Sequence, residues 1–131
     1  MTVELQMLAL SVVLGFVQLF AAAQGATMQR GAKWNMSPRD EKMPDLTGIP
    51  ARLDRAFKNF METFPFFVVA ILLVTVLKAE TNTSALGARL YFFARVLYIP
   101  LYATGIPVMR TIVWFASFVG IFMVLGALPI G

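Results

Sequence analysis

The chain has 131 residues, of which 59% are hydrophobic and only 14% are charged, and its mean hydropathy is +0.75. This profile lies outside the usual range of soluble domains and indicates an integral membrane protein. The absence of cysteine and histidine excludes disulfides, iron–sulfur ligation by the chain and the usual haem and zinc ligands. The net charge of +4 does not indicate nucleic-acid binding, because no basic helix lies outside the segments that flank the expected membrane spans.

Apolar runs of about 20 residues, the length that crosses a hydrocarbon core of about 30 Å, predict an all-α membrane bundle. Four spans are expected, over residues 5–26, 51–78, 84–103 and 107–128. The first is a packing helix rather than a cleaved signal peptide, because no lysine or arginine precedes it and its apolar run is too long. A polar loop is expected between Thr27 and Pro50, and residues 1–131 are expected to form one domain.

The second predicted helix carries a polar stripe into the membrane. Its roughly 28 residues would span about 42 Å, so the first two turns should project into the interface. At about 100° per residue, the stripe lies within about 80° of the helix circumference. Its members are Arg52, Arg55, Asn59, Glu62 and Phe66.

Lysine and arginine are distributed unequally between the two membrane sides. Seven lie between Arg30 and Lys58 and an eighth is Arg110, whereas Lys78 and Arg89 lie on the other side. The positive-inside rule therefore predicts that the first and third loops face the cytosol and that both termini lie outside.

Arg95 lies inside the third predicted span, where an isolated arginine costs a few kcal/mol or more. Glu62 is the only carboxylate beyond the first turn of a predicted span, so we expect an Arg95–Glu62 contact. Such a pair has two interpretations. It either fixes the register of the helices or forms part of a functional site.

Polar residues of three predicted helices converge on one side of the membrane. They are Arg52, Arg55, Asn59, Glu62, Arg95, Tyr98, Tyr102 and Arg110. Arg110 alone would be interpreted as an interfacial anchor beside Trp114. Together, the guanidinium groups suit a small anionic ligand with several carboxylates, because arginine binds a carboxylate through two parallel hydrogen bonds.

Two segments resemble the MAPEG family, the membrane-associated proteins of eicosanoid and glutathione metabolism. The first reads Arg52-Leu-Asp-Arg-Ala-Phe-Lys-Asn-Phe-Met-Glu62 and continues with Phe64-Pro-Phe66. The second reads Ala94-Arg-Val-Leu-Tyr-Ile-Pro-Leu-Tyr-Ala103, followed by Arg110. With the four-span layout, the resemblance covers nearly the whole chain.

The resemblance implies a four-helix bundle that assembles as a homotrimer, with glutathione bound between neighbouring subunits on the cytosolic side. It implies that Arg52, Arg55, Asn59, Glu62, Arg95, Tyr98 and Tyr102 bind glutathione and that Arg110 stabilises the thiolate. A nearby cation lowers the pKa of a thiol and makes its sulfur nucleophilic. A lipophilic electrophile would arrive through the membrane lipids, and the likeness to bacterial members implies the inner membrane.

The sequence leaves one non-enzymatic function open and argues against a second. A non-enzymatic membrane protein would use the same basic pocket for another small anion or for an acidic lipid headgroup. A small four-span exporter would carry a membrane-embedded carboxylate in its first span. The first predicted span has none, and arginines surround Glu62.

Overall fold

The computed structural model describes residues 1–40 and 43–130, and every regular element in them is a helix. The elements are α1 (Val3–Arg30), α2 (Ala32–Met36), α3 (Gly48–Val76), α4 (Asn82–Ala103) and α5 (Pro107–Leu125). The predicted all-α class is therefore confirmed. Glu41 and Lys42 of the expected loop, and Gly131, lie outside the described residues.

Helix α1 is longer than predicted at both ends. Its first turn is capped by Thr2, whose side-chain oxygen accepts a hydrogen bond from the Leu5 N–H at 3.2 Å. It continues past Ala26 as far as Gly31, where a φ of 92° ends the helix. The prediction counted only apolar residues, whereas the backbone stays helical through polar residues as well. The expected loop is consequently shorter, and it contains the five-residue α2.

The other long helices also have defined boundaries. Helix α3 begins at Gly48, three residues before its predicted start, and runs on through Pro65. Helix α4 begins after a capping box in which Thr81 and Ser84 exchange hydrogen bonds between side chain and backbone. Helix α5 begins at the predicted Pro107, a residue that suits a first helical position because its missing N–H is not needed there.

Three helices among the described residues are long and apolar enough to cross a membrane: α1, α3 and α5. The chain is thus a multi-pass membrane protein by length and composition. Helix α4 has 22 residues, about 33 Å at 1.5 Å per residue, but it is more polar and carries Arg89 and Arg95. That α4 also crosses the membrane stays a prediction.

The long helices pack around a core of apolar side chains. Helix α1 contacts α3 and α4, α5 contacts α3 and α4, and α3 contacts α4. Phe67 of α3 stacks on Tyr91 of α4 with ring centroids 4.0 Å apart. The Thr63 hydroxyl donates to the Phe60 carbonyl and lies 3.0 Å from the Tyr91 hydroxyl, so Tyr91 donates to Thr63. The buried tyrosine is therefore both packed and hydrogen-bonded.

A buried carboxylate joins α1 to α4 at the end where both helices begin. Glu4 is only 2% exposed and accepts a hydrogen bond from the Ser84 hydroxyl at 2.6 Å. Ser84 also belongs to the capping box of α4. The contact fixes the position of α1 along α4, because a buried carboxylate without a donor would be strongly destabilising.

Helices α4 and α5 meet at two glycines. A Cβ atom added to Gly120 would lie 2.7 Å from the Gly87 carbonyl oxygen and 2.8 Å from the Tyr91 nitrogen. Both neighbours are backbone atoms, so neither can move aside without shifting a helix. The absence of side chains at these positions is what allows the close helix contact.

Gly120→Ala should destabilise the protein by about 1–3 kcal/mol, the usual range for overpacking. Thermal unfolding of the detergent-solubilised protein measures the effect. Gly126→Ala is the matched control, because the backbone φ at Gly126 is −63° and its nearest neighbours are carbonyl oxygens of the preceding turn. Equal melting temperatures for the two variants would contradict the close contact.

Candidate functional site

Seven polar side chains line one cavity of about 380 Å³ at the end of the protein where α3 and α5 begin and α4 ends. We call it the polar cavity. Helix α3 supplies four of its residues, α4 two and α5 one. They are Arg55, Lys58, Asn59, Glu62, Tyr98, Tyr102 and Arg110. Six of the eight predicted site residues are therefore brought together.

Tyr102 is flanked by two arginines from different helices. Arg55 of α3 donates from Nε to the Tyr102 hydroxyl at 3.2 Å. The Arg110 guanidinium of α5 lies over the Tyr102 ring, with its central carbon 4.7 Å from the ring centroid. A phenol that accepts from one arginine and stacks against another fixes the position of both guanidinium groups. Their remaining N–H groups are left for an anion.

Arg95 lies beneath the polar cavity and does not line it. The side chain is 1% exposed, and its guanidinium carbon lies 4.2 Å from the centroid of the Tyr98 ring and 5.8 Å from that of Phe60. Among the described residues, none of its three guanidinium nitrogens has a hydrogen-bond partner. Arg95 therefore supports Tyr98, which forms the buried floor of the cavity.

The expected Arg95–Glu62 contact does not form as an ion pair, although the two charges lie near enough to attract each other. Lys58 and Asp54, 2.9 Å apart, form the only ion pair among the described residues. Glu62 lies on an exposed face of α3, whereas Arg95 is buried among aromatic rings. The carboxylate is thus left facing the cavity, where it is open to a ligand.

Arg52 was expected in the site but lies outside it. It donates from Nη1 to the carbonyl oxygen of Ala103, the last residue of α4, at 3.0 Å. Its guanidinium also lies against Gly105, which has a φ of 75°. A cation at this position stabilises the free carbonyl groups at the end of α4. Arg52 holds the start of α3 against the α4–α5 turn.

The cavity has an excess of positive charge and one exposed negative group. Three cations line it, Arg55, Lys58 and Arg110, together with the single carboxylate Glu62; of the three, Lys58 is paired with Asp54 outside the cavity. Asn59 adds an amide, and its side-chain oxygen is buried without a hydrogen-bond partner among the described residues. This arrangement suits a ligand with several carboxylates and one ammonium group, because each ligand charge meets an opposite one.

A smaller cavity of about 130 Å³ adjoins the polar cavity. The two share Asn59, Tyr98 and Arg110, and the smaller one adds Thr111 and Trp114 of α5. Arg110 therefore lies between a polar compartment and one with an indole wall. Trp114, considered from sequence only as the neighbour of an interfacial anchor, belongs to the site.

Lys58 is the cavity residue that sequence reasoning missed. It follows Arg55 by three positions and precedes Glu62 by four, so it lies near the polar stripe on α3. That spacing could have revealed it.

No group of three or more histidine, cysteine, aspartate or glutamate residues that could hold a metal ion occurs in residues 1–40 and 43–130.

Comparison with known proteins supports the resemblance noted from the sequence. A family model described as "MAPEG family" matches residues 7–129, which is nearly the whole chain. No curated protein matches the sequence.

Arg52→Gln should lower the free energy of unfolding by about 1–3 kcal/mol, because it removes the hydrogen bond that the charged Arg52 of α3 donates to the carbonyl at the end of α4. The midpoint of thermal unfolding in detergent measures the loss. Arg89→Gln removes an exposed arginine from the same membrane protein and should change stability by less than about 0.5 kcal/mol. A variant at Arg52 as stable as the Arg89 control would refute the structural role.

Proposed function

Because the chain belongs to the MAPEG family, we propose that it is a membrane-embedded, glutathione-dependent transferase or peroxidase that acts on lipophilic electrophiles. The observation that supports this most is the polar cavity. Its two arginines, one lysine and one carboxylate come from α3 and α5 and lie around two tyrosines of α4. A merely structural charge cluster would pair its ions internally, whereas Glu62 has no ion-pair partner among the described residues.

Glutathione has the charge pattern that this cavity suits. It carries two carboxylates and one ammonium group, joined by a backbone with peptide hydrogen-bonding groups. Arg55 provides a cation for one carboxylate and Lys58, which already pairs with Asp54, a second one, while Glu62 provides an acceptor for the ammonium group. Asn59 has a buried amide oxygen that can accept from a peptide N–H.

Arg110 is the residue that we assign to catalysis. Its guanidinium is positioned by the Tyr102 ring and lies between the polar cavity and the smaller one. A fixed cation beside the ligand's sulfur favours the thiolate, so the thiol releases its proton to solvent at neutral pH. The thiolate then attacks an electrophilic carbon: the new C–S bond forms, and the electron pair of the breaking bond leaves with the departing group.

In a peroxidase reaction, the same thiolate would attack the hydroperoxide oxygen. The O–O bond breaks, an alcohol leaves after protonation, and the glutathione sulfenic acid that remains is reduced by a second glutathione. The products of that second step are glutathione disulfide and water. Arg110 serves both reactions in the same way, by stabilising the anionic sulfur.

The electrophile would arrive through the hydrocarbon rather than from water. Trp114 and the apolar surface of α5, on which Ile112 and Phe115 are more than half exposed, support this route. Membrane entry concentrates lipophilic molecules beside the thiolate, since they partition into the bilayer.

We further propose that the protein is a homotrimer in the bacterial inner membrane, with the polar cavity on the cytosolic side and both termini outside. Within one chain, α1 contributes no residue to the polar cavity, so a neighbouring copy can supply a further wall. The cavity also lies at the end where the lysine- and arginine-rich loop joins α3, as the positive-inside rule expects.

Native mass spectrometry should give three times the 14.5 kDa chain mass.

The central test is thiolate formation by bound glutathione. Adding glutathione to the purified protein at neutral pH should raise the ultraviolet absorbance that is characteristic of a thiolate. Arg110→Gln should abolish this signal while glutathione still binds in a calorimeter. Arg55→Gln should instead weaken binding by about 10- to 150-fold, the range for losing a charged hydrogen bond.

Two controls separate the effects. S-methylglutathione should bind to the wild-type protein without producing the absorbance, because it has no thiol proton to lose. Arg89→Gln changes an exposed arginine of α4 that does not line the cavity and should leave both signals unchanged. Failure of the wild-type protein to bind glutathione would overturn the proposal and favour a different anion.

A further inference from the structure

Reduction of a hydroperoxide needs a proton as well as a thiolate. Attack of the thiolate on the terminal oxygen breaks the O–O bond and releases an alkoxide, which is a poor leaving group until it is protonated. A positioned acid accelerates such a step by about 10²–10⁴-fold. Arg110 stabilises the sulfur anion but cannot be that acid, because a guanidinium keeps its protons in proteins. The source of the proton therefore has to be sought among the other residues of the two cavities.

Tyr98 is the tyrosine that lines both the polar cavity and the smaller cavity. It therefore borders the glutathione compartment and the indole-walled compartment beside it. The hydroxyls of Tyr91 and Tyr102 are engaged by Thr63 and Arg55, whereas no hydrogen bond among the described residues involves the Tyr98 hydroxyl. A phenol is a stronger acid than an aliphatic alcohol. Transfer of the free phenol proton to an alkoxide is consequently favourable.

The other proton donors of the two cavities are less well placed. Tyr102 accepts a hydrogen bond from an arginine and lines only the polar cavity. Thr111 lines the smaller cavity, but its hydroxyl donates to the Pro107 carbonyl at 3.0 Å. Lys58 belongs to an ion pair of 2.9 Å and is confined to the polar cavity. Tyr98 combines the right acidity, an unused hydroxyl and a position at the junction of the two cavities.

A buried cation beneath Tyr98 stabilises the anion that proton transfer would leave behind. The Arg95 guanidinium carbon lies 4.2 Å from the Tyr98 ring centroid, and the arginine side chain is 1% exposed. None of its three guanidinium nitrogens has a hydrogen-bond partner among the described residues. A fixed cation in a poorly solvated site attracts a phenolate more strongly than a neutral phenol. Arg95 thus supports Tyr98 electrostatically as well as by packing.

We propose that Tyr98 is the general acid that protonates the alkoxide released when a hydroperoxide is reduced, and that Arg95 stabilises the resulting phenolate. This assignment rests on the function proposed above. The glutathione thiolate bonds to the terminal oxygen, and the electron pair of the O–O bond leaves with the alkoxide. The alkoxide takes the Tyr98 proton and departs as an alcohol. The terminal oxygen keeps its own hydrogen, so glutathione sulfenic acid remains, and the phenolate regains a proton from solvent.

Two peroxides with different leaving groups test the assignment. Cumene hydroperoxide releases an alkoxide that needs a proton, whereas perbenzoic acid releases a carboxylate that does not. A single turnover is followed as the loss of thiolate absorbance from the glutathione-loaded protein without excess glutathione. Tyr98→Phe keeps the ring over Arg95 and removes only the hydroxyl. The ratio of the rate constant with cumene hydroperoxide to that with perbenzoic acid should fall by about 100-fold or more.

Tyr102→Phe is the matched control, because it removes the same atom from the other tyrosine of the polar cavity. It releases Arg55 from the Tyr102 hydroxyl and should therefore impair glutathione binding and both peroxide reactions alike. The ratio of the two rate constants should stay at the wild-type value. An unchanged ratio in Tyr98→Phe, or an equal fall of the ratio in both variants, would overturn the assignment of the acid to Tyr98.

A solvent isotope effect on the wild-type protein tests the proton transfer without any variant. The single turnover with cumene hydroperoxide should be slower in D₂O than in H₂O, because a proton moves as the O–O bond breaks. The reaction with perbenzoic acid should be much less affected. Equal rates with cumene hydroperoxide in the two solvents would overturn the proposal. Absence of thiolate absorbance before any peroxide is added would refute the proposed function instead, so the two failures are distinguishable.

Discussion

A buried guanidinium underlies the arrangement of the polar cavity. Arg95 of α4 is almost fully enclosed, with Tyr98 4.2 Å and Phe60 5.8 Å from its central carbon. Stacking of a desolvated cation on an aromatic ring stabilises it by about 2 kcal/mol or more. Placing an unpaired arginine in the membrane destabilises the protein by at least as much. The charge is tolerable only while these rings and the nearby cavity remain in place, so α3 and α4 are held in one relative position.

The contacts between helices differ in kind between the cavity end of the protein and the opposite end. Toward the cavity, the contacts between helices are polar: Arg52 reaches the end of α4, and Arg55 reaches Tyr102. Toward the other end, they combine tight packing, as at Phe67–Tyr91 and at the two facing glycines of α4 and α5, with the buried Glu4–Ser84 hydrogen bond. Tight packing at the end opposite the cavity makes the helices rigid, so they can hold the cavity side chains in position to within a fraction of an ångström.

The sequence by itself determined the helical class, the membrane location, the family and most of the cavity residues. Apolar runs and the stripe on α3 are local properties, because the helical repeat decides which side chains share a face. The start of α5 at Pro107 was predictable for the same reason. Only the tertiary structure decided which neighbour each face meets. In the folded chain, Arg52 donates to the Ala103 carbonyl and Arg95 is buried against the Tyr98 ring. Glu62 stays exposed toward the cavity, and Glu4 accepts a hydrogen bond from Ser84. Helical spacing cannot supply those partners, because they depend on how the helices rotate and slide against one another to satisfy buried polar groups.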